Sequence, residues 1–326
     1  MLSRWDAGWY VGIAREGYRY ESGSPGNAAF FPLYPLLVRA IHALLFLPAN
    51  DYWWLVTAIA LSNLALLIGL TYLRTLLARD FDEEIATRAI TYLLIFPTTF
   101  FFSGVYSESL FLALTVGAFY YARNNRWLLA CISAALGTLT RSQGIILALP
   151  LLIEYLRQRN FSLRRVGWNI AAFALIPTAL FAFAFYLKLK FGSWTVMFDV
   201  QSIWGRHLMW PWHPLVWFLR HAPPLSPEHH DKLDFGFLLL LLGAAIAGLR
   251  RLRVSYNVYL WTAVVFFSCW GVLGSIPRFD LVIFPLFIVL ALVGARSRAF
   301  HLGYVAVSTM LAALFMLMHS QWNWVA

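Results

Sequence analysis

Charged residues are scarce in this sequence, and acidic ones are scarcer than basic ones. Only 12% of the 326 residues are charged and 15 are Asp or Glu, whereas 61% are hydrophobic. Soluble domains carry about 25% charged residues, so the composition excludes an ordinary soluble domain. Together with a mean hydropathy of +0.67, it indicates an all-α polytopic membrane protein.

Cysteine is nearly absent. The two cysteines, Cys131 and Cys269, lie inside apolar runs without a nearby His or Cys. This spacing excludes a disulfide framework and argues against a zinc site, so both are interpreted as thiols embedded in the membrane. The chain also lacks an internal repeat, which leaves an inverted-repeat transporter without support.

Long apolar runs predict about ten transmembrane helices. They cover approximately residues 53–77, 89–103, 108–122, 127–140, 143–156, 167–190, 234–250, 255–274, 279–295 and 301–319. We predict a single integral membrane domain over residues 1–326. Its parts are an external catalytic loop with short helices at 1–50, an N-terminal helix module at 53–190, an external loop at 191–232 and C-terminal helices at 233–326.

The opening stretch, residues 4–35, differs from the rest because it mixes acids, aromatics and glycines. Residues 9–18 predict a short amphipathic helix. Residues 33–47 are apolar but too short to cross a hydrocarbon core of about 30 Å, so they predict a helix at the membrane edge. The face predicted for the first helix consists of Tyr10, Ile13, Ala14 and Gly17.

The net charge of +10 comes largely from Arg clusters in short connections between the apolar runs. Such connections lie in the cytoplasm under the positive-inside rule, so no nucleic-acid partner is predicted. Counting spans from residues 53–77 puts every dense Arg cluster on the same side. The opposite side receives the opening stretch, the turns at 104–109, 140–143 and 274–278, and the loop at 191–232.

No signal peptide precedes the opening stretch, although the topology places that stretch outside the cytoplasm. We therefore expect a further helix, running from inside to outside, ahead of residue 1.

Two acids on the outer side are candidate catalytic groups. Asp6 lies between Trp5, Trp9 and Tyr10, which either seat in the membrane interface or stack on a sugar ring. Glu108 lies at the mouth between two spans, where an ionisable residue indicates function. The alternative for Glu108 is an acid at a helix N-terminus that Ser107 caps.

Two single arginines also fall on the outer side, which the positive-inside rule expects to be poor in arginine. Arg141 follows Thr140, and Arg278 follows Pro277. The guanidinium fork suits a phosphate group. The alternative is that both side chains reach outward to lipid head groups.

The loop at 191–232 is rich in Trp and His but lacks the i,i+4 histidine spacing of a helical zinc site. We interpret it as an interfacial lid or a loop that contacts the acceptor. Its tryptophans and histidines include Trp194, Trp204, Trp210, Trp212, His207, His213, His229 and His230.

These outer acids, arginines and aromatics fit one reaction. An acid can deprotonate an acceptor hydroxyl, arginines can hold a phosphate leaving group, and aromatics can position a sugar. Nucleotide sugars are not available on the non-cytoplasmic side. The activated sugar would therefore arrive on a lipid phosphate.

Four motifs resemble the PIG-V family of GPI mannosyltransferase 2 type, in its bacterial form. The first and most specific one runs from Trp5-Asp6-Ala7 through Tyr10, Ile13-Ala14 and Gly17-Tyr18 to Ala29-Phe30-Phe31-Pro32-Leu33-Tyr34-Pro35. The others are Tyr106-Ser107-Glu108-Ser109-Leu110, Thr140-Arg141-Ser142-Gln143-Gly144, and Pro277-Arg278-Phe279 with Phe284-Pro285-Leu286.

The resemblance implies a GT-C glycosyltransferase fold and an inverting transfer from a polyprenyl-phosphate sugar, most often mannose. The acceptor would be a lipid or a glycan, and the site would face away from the cytoplasm in the cell membrane. Asp6 would be the general base, with Glu108 orienting the acceptor or supporting Asp6. Arg141 and Arg278 would bind the donor phosphate. The substrate-binding candidates are Trp5, Tyr10, Tyr18, Glu21 and Tyr34.

No cofactor and no metal ligand are predicted, although a need for a divalent metal stays open. Membrane lipids are the expected surroundings. Two other functions compete with the transferase. A flippase or transporter of lipid-linked sugars would need polar residues through the middle of several spans, which are nearly free of charge. An inactive membrane scaffold would not need the outer acids.

Overall fold

The computed structural model describes residues 4–20, 26–203, 205–221, 231–270 and 273–325. Within these residues the chain is helical, with no strand beyond one isolated bridge between Leu208 and Trp270. The predicted all-α class is confirmed for this part of the chain. In chain order the helices are α1 (Asp6–Glu16), α2 (Leu33–Leu44), α3 (Asp51–Asp80), α4 (Glu83–Leu94), α5 (Glu108–Arg123), α6 (Trp127–Thr140), α7 (Ala148–Gln158), α8 (Leu175–Phe191), α9 (Val196–Ile203), α10 (His213–His221), α11 (Asp231–Gly248), α12 (Val254–Ser268), α13 (Ile276–Asp280), α14 (Phe284–Arg296) and α15 (Arg298–Ser320).

The helices follow most of the predicted apolar runs. α6 covers the predicted residues 127–140, and α5 begins at the predicted position, Glu108. Among the described residues, three helical stretches are long and apolar enough to cross a membrane: Asp51–Asp80, Trp168–Phe191 and Arg298–Ser320. Shorter apolar helices accompany them, namely α2, α6, α12 and α14. They mark a membrane protein, whereas the number of spans stays a prediction.

The run predicted at 89–103 does not form one continuous helix. α4 ends at Leu94, and a separate 3₁₀ turn covers Thr99–Phe102. Pro97 lies between them. Its ring and its missing N–H interrupt a helix, and it also restricts the residue before it. The expectation of one continuous helix over this run is therefore wrong, whereas its crossing of the membrane stays a prediction.

The chain forms two compact units, the first comprising Met1–Gly69, Phe101–Ala148 and Val166–His207. In this unit α5 and α6 are joined by a short turn and pack as an antiparallel pair, and α8 also packs against α6. α1 packs against α2. A hydrophobic cluster joins the opening stretch to α8 and α9. Its buried members are Ile13, Tyr18, Ala28, Ala29, Phe31, Phe183, Leu187, Val196, Met197 and Val200.

The second unit comprises Leu70–Phe100, Leu149–Arg165 and Leu208–Ala326. Its core is α14, which packs against α4, α11, α12 and α15. Every residue from Phe284 to Ala291 is buried, because a helix that is apolar all round has to lie in the interior. The short helix α13 precedes it and packs against α11.

Candidate active site

Asp6 is the first residue of α1 and is partly exposed. The helix begins three residues earlier than predicted. A carboxylate in this first turn is favoured by the partial positive charge of the helix N-terminus. Gly17 ends the helix with a φ of +85° instead of joining its buried face. The buried face consists of Ala7, Tyr10, Ile13 and Ala14, which confirms three of the four predicted positions.

Beside α1 lies a buried polar network that joins Tyr10, Ser107, Glu108 and Arg141. The Tyr10 hydroxyl is 2.9 Å from Ser107 Oγ. Arg141 Nη1 donates to Ser107 Oγ at 3.2 Å and to Glu108 Oε1 at 2.6 Å. Ser107 and Glu108 are 0% exposed, Tyr10 is 5% and Arg141 9% exposed. Asp6 and Tyr10 are four residues apart on one helix, so Asp6 lies one turn before the tyrosine that joins this network.

The segment Tyr106–Ser109 holds several parts of the site together. The Tyr106 hydroxyl donates to the Arg4 carbonyl at 2.7 Å, which fixes the chain just before Asp6. Ser109 Oγ donates to the Phe102 carbonyl at 2.6 Å. Ser107 precedes α5 but makes no side-chain cap bond. The capping alternative for Ser107 is therefore wrong, since its hydroxyl contacts Tyr10 and Arg141 instead.

Arg141 is placed by the end of α6. It is the first residue beyond the helix and adopts an extended conformation, with φ −153° and ψ 146°. A 3₁₀ segment follows at Ser142–Leu147 and returns against α6. Gly144 makes this possible, because a Cβ at this position would lie 2.2 Å from the Thr138 backbone nitrogen. The close approach fixes the direction in which Arg141 leaves the helix.

Tyrosines predicted to bind substrate line the interior of the opening stretch. Tyr10 packs edge-on against Phe30 and Tyr34, with ring centroids 5.2 and 5.1 Å apart. Tyr34 is 0% exposed and its hydroxyl donates to the Ala58 carbonyl at 3.0 Å. The Tyr18 hydroxyl donates to the Phe30 carbonyl at 2.7 Å. These tyrosines shape the region around Tyr10, and a direct contact with substrate stays a prediction.

Two other predicted substrate-binding residues lie at the surface or beyond the described part. Trp5 precedes α1 in the left-handed region, with φ 52°, and is 38% exposed. Glu21 lies outside the described residues, as do Trp204, His229 and His230. Over the described part of the chain, no three His, Cys, Asp or Glu side chains group to hold a metal ion.

Arg278 belongs to the second unit and lies in α13. It is 4% exposed. The helix is held at its start, where Asp234 Oδ1 accepts the Ile276 N–H at 2.7 Å. Thr98 Oγ1 donates to the Pro277 carbonyl at 2.9 Å. Arg278 Cζ lies 5.7 Å from the centroid of the Trp324 ring.

The structure thus brings Tyr10, Glu108 and Arg141 together within one unit, and Asp6 lies one helical turn before Tyr10. Ser107 connects Tyr10 to Arg141. It was not predicted as a site residue, although it stands beside Glu108 in the second motif. Trp324, whose ring lies near the Arg278 guanidinium, was not predicted either, because no motif or periodic pattern includes it.

Residues 1–194 of this chain match the protein family described as Mannosyltransferase (PIG-V). Curated relatives include GPI alpha-1,6-mannosyltransferase 2 of Rattus norvegicus, which is 31% identical over 154 residues. The human enzyme of the same name is 29% identical over 161 residues. Each match covers 44% of this chain and 30% of the relative. The aligned region thus spans less than a third of these relatives.

Solved structures of ArnT from Cupriavidus metallidurans share the fold. The structure bound to undecaprenyl phosphate has a TM-score of 0.60 at 16% identity and covers 97% of this chain and 60% of ArnT. The apo structure has a TM-score of 0.56 at 15% identity, with 95% and 59% coverage. The predicted GT-C fold is confirmed by this likeness. Since the matched residues make up more than half of the chain, the protein belongs to the mannosyltransferase (PIG-V) family.

Proposed function

We propose that this protein is an inverting glycosyltransferase on the non-cytoplasmic face of the cell membrane. It moves a sugar, mannose by family, from a polyprenyl-phosphate donor to a hydroxyl of a lipid or glycan acceptor. The observation that carries the proposal is that α1 bears both Asp6, at its start, and Tyr10, which joins the buried network of Ser107, Glu108 and Arg141.

Asp6 acts as the general base. Asp6 is partly exposed at the start of α1, and the acceptor approaches its carboxylate from that end of the helix. The carboxylate takes the proton of the acceptor hydroxyl. The acceptor oxygen then forms its bond to the anomeric carbon as the bond from that carbon to the phosphate oxygen breaks on the opposite face. The polyprenyl phosphate leaves with the bonding electrons.

Glu108 supports the site without touching the acceptor. Its side chain is 0% exposed and is bonded to Arg141. This burial favours a supporting role for Glu108 over direct contact with the acceptor. Its carboxylate can hold the guanidinium in one orientation, and Arg141 in turn bonds Ser107, which contacts Tyr10 on the helix of Asp6.

Arg141 and Arg278 stabilise the departing phosphate. A guanidinium binds phosphate oxygens through parallel N–H donors. Its electrostatic attraction to the phosphate is stronger in a site that excludes water. Both arginines are nearly buried. ArnT, which shares the fold, has been solved with undecaprenyl phosphate, and this supports a polyprenyl phosphate as the donor carrier.

The test uses the purified full chain in lipid nanodiscs with a panel of polyprenyl-phosphate sugars, and it compares Asp6→Asn with Glu16→Gln. Loss of the base should lower the transfer rate by roughly 10²- to 10⁴-fold. Glu16 lies in the same helix, is exposed and pairs with Arg19, so Glu16→Gln should keep the wild-type rate.

Circular dichroism and thermal unfolding should show both variants folded as the wild type. Transfer near the wild-type rate by folded Asp6→Asn protein would remove Asp6 from the mechanism. Transport of the lipid-linked sugar across vesicle membranes, without transfer, would favour the flippase instead.

A further inference from the structure

The segment after α15, residues 321–325, folds back onto its own unit. The helix ends in a Schellman motif, in which the Trp322 N–H donates to the His319 carbonyl at 3.2 Å and the Asn323 N–H to the Met318 carbonyl at 3.0 Å. Trp322 takes the left-handed position with φ 65°. Glycine usually occupies that position, because a side chain there is strained.

This turn directs the next residues inward. Val325 is 1% exposed, whereas Trp322 at the turn is 55% exposed. The Trp324 ring lies near His319, with centroids 6.4 Å apart, and His319 is 2% exposed. The segment is therefore a packed part of the second unit.

Trp324 also meets the arginine proposed to bind the donor phosphate. Arg278 Cζ lies 5.7 Å from the ring centroid, within the distance at which a cation is attracted to an aromatic face. α13, which carries Arg278, has only five residues. The bonds of Asp234 and Thr98 fix its backbone. Trp324 contacts the guanidinium itself.

We propose that Trp324 is a positioning residue that holds the Arg278 guanidinium in the orientation in which it receives the phosphate of the lipid donor. The inference rests on the proposed function, since it assumes that Arg278 binds this phosphate. Residues 321–325 lie outside residues 1–194, over which the chain matches the family.

The test measures binding of undecaprenyl phosphate, without any sugar, to the full chain in nanodiscs. Trp324→Ala should weaken binding by up to about ten-fold, because the freed Arg278 side chain must be ordered when the phosphate binds. Trp324→Phe keeps an aromatic face and should recover most of the affinity. Trp322→Gly is the matched control: it removes an equally large ring from the same segment while suiting the left-handed turn, and it should bind as the wild type.

A double variant links the effect to the arginine. In an Arg278→Ala background, Trp324→Ala should cause little further loss, because both changes remove the same contact. In transfer assays Trp324→Ala should raise KM for the donor more than it lowers kcat.

Wild-type affinity in folded Trp324→Ala protein would overturn the inference, as would no binding of undecaprenyl phosphate to the wild type. So would equal losses in Trp324→Phe and Trp324→Ala, or an unchanged effect in the Arg278→Ala background. Binding that depends on Trp324 in a protein that transfers no sugar would support the inference and refute the proposed reaction.

Discussion

Replacing Arg141 by methionine would remove the charged partner of a carboxylate that has no contact with solvent. Glu108 is 0% exposed, and its Oε1 accepts a hydrogen bond from Arg141 Nη1 at 2.6 Å. Breaking a buried ion pair from one side costs about 3–5 kcal/mol of stability, because the remaining charge stays in a low-dielectric interior. We expect a loss of that size for Arg141→Met, measured as the free energy of unfolding in mixed micelles.

Glu108→Gln should cost less. The amide oxygen can still accept from Arg141, so the ion pair becomes a hydrogen bond from a charged donor to a neutral acceptor, a loss of about 1–2 kcal/mol. The double variant Glu108→Leu with Arg141→Met removes both charges at once. Replacing a buried pair with apolar residues of similar volume is often neutral or stabilising, so the double variant should be about as stable as the wild type.

Activity should behave differently from stability. The double variant should fold yet transfer sugar about 10²- to 10³-fold more slowly, since a fixed positive charge near the leaving phosphate is gone. If the double variant were as unstable as the single losses added together, Glu108 and Arg141 would not act as a pair. A stable double variant with wild-type transfer would show that Arg141 has no part in the reaction.

One further change probes the segment that follows Arg141. Gly144→Ala should lower stability by about 1–3 kcal/mol, because its Cβ would meet backbone atoms of α6. Gly12→Ala, with open space around the Cβ, is the control and should be neutral or stabilising. Equal unfolding curves for the two variants would refute this reasoning.

Helices were the most predictable level of this structure. α6 begins and ends at the predicted residues, and α5 begins at Glu108, because the apolar runs are interrupted by polar residues such as Asn124 and Asn125. The break after Leu94 was also readable, since Pro97 stands inside the run. A helix prediction from length and hydropathy alone does not take this proline into account.

The contacts of the site were less predictable than its members. Glu108 and Arg141 were both singled out as outer charged residues, but their pairing spans 33 positions and depends on how α5 and α6 pack. Tyr10 and Ser107 are 97 positions apart. Such contacts follow from tertiary packing, which no local period reveals. No sequence signal marked Trp324. Its proposed role depends on the turn before it, in which Trp322 occupies a position usually held by glycine.

The scarcity of charge in this chain explains where the charged site residues lie. Glu108 is the first residue of α5 and Arg141 is the residue just after α6. α5 and α6 are antiparallel neighbours, so the N-terminus of one meets the C-terminus of the other. The partial positive charge at the start of α5 favours the carboxylate, and the partial negative charge at the end of α6 favours the guanidinium.

Asp6, at the start of α1, has the same advantage. In an interior that offers few other charges, helix ends lower the cost of burying ionised groups. A charged residue moved one turn into α5 or α6 would lose that support and would face apolar neighbours. The positions of Asp6, Glu108 and Arg141 are therefore set by helix boundaries, and a change that shifts a boundary should damage the site as much as a change of the residue itself.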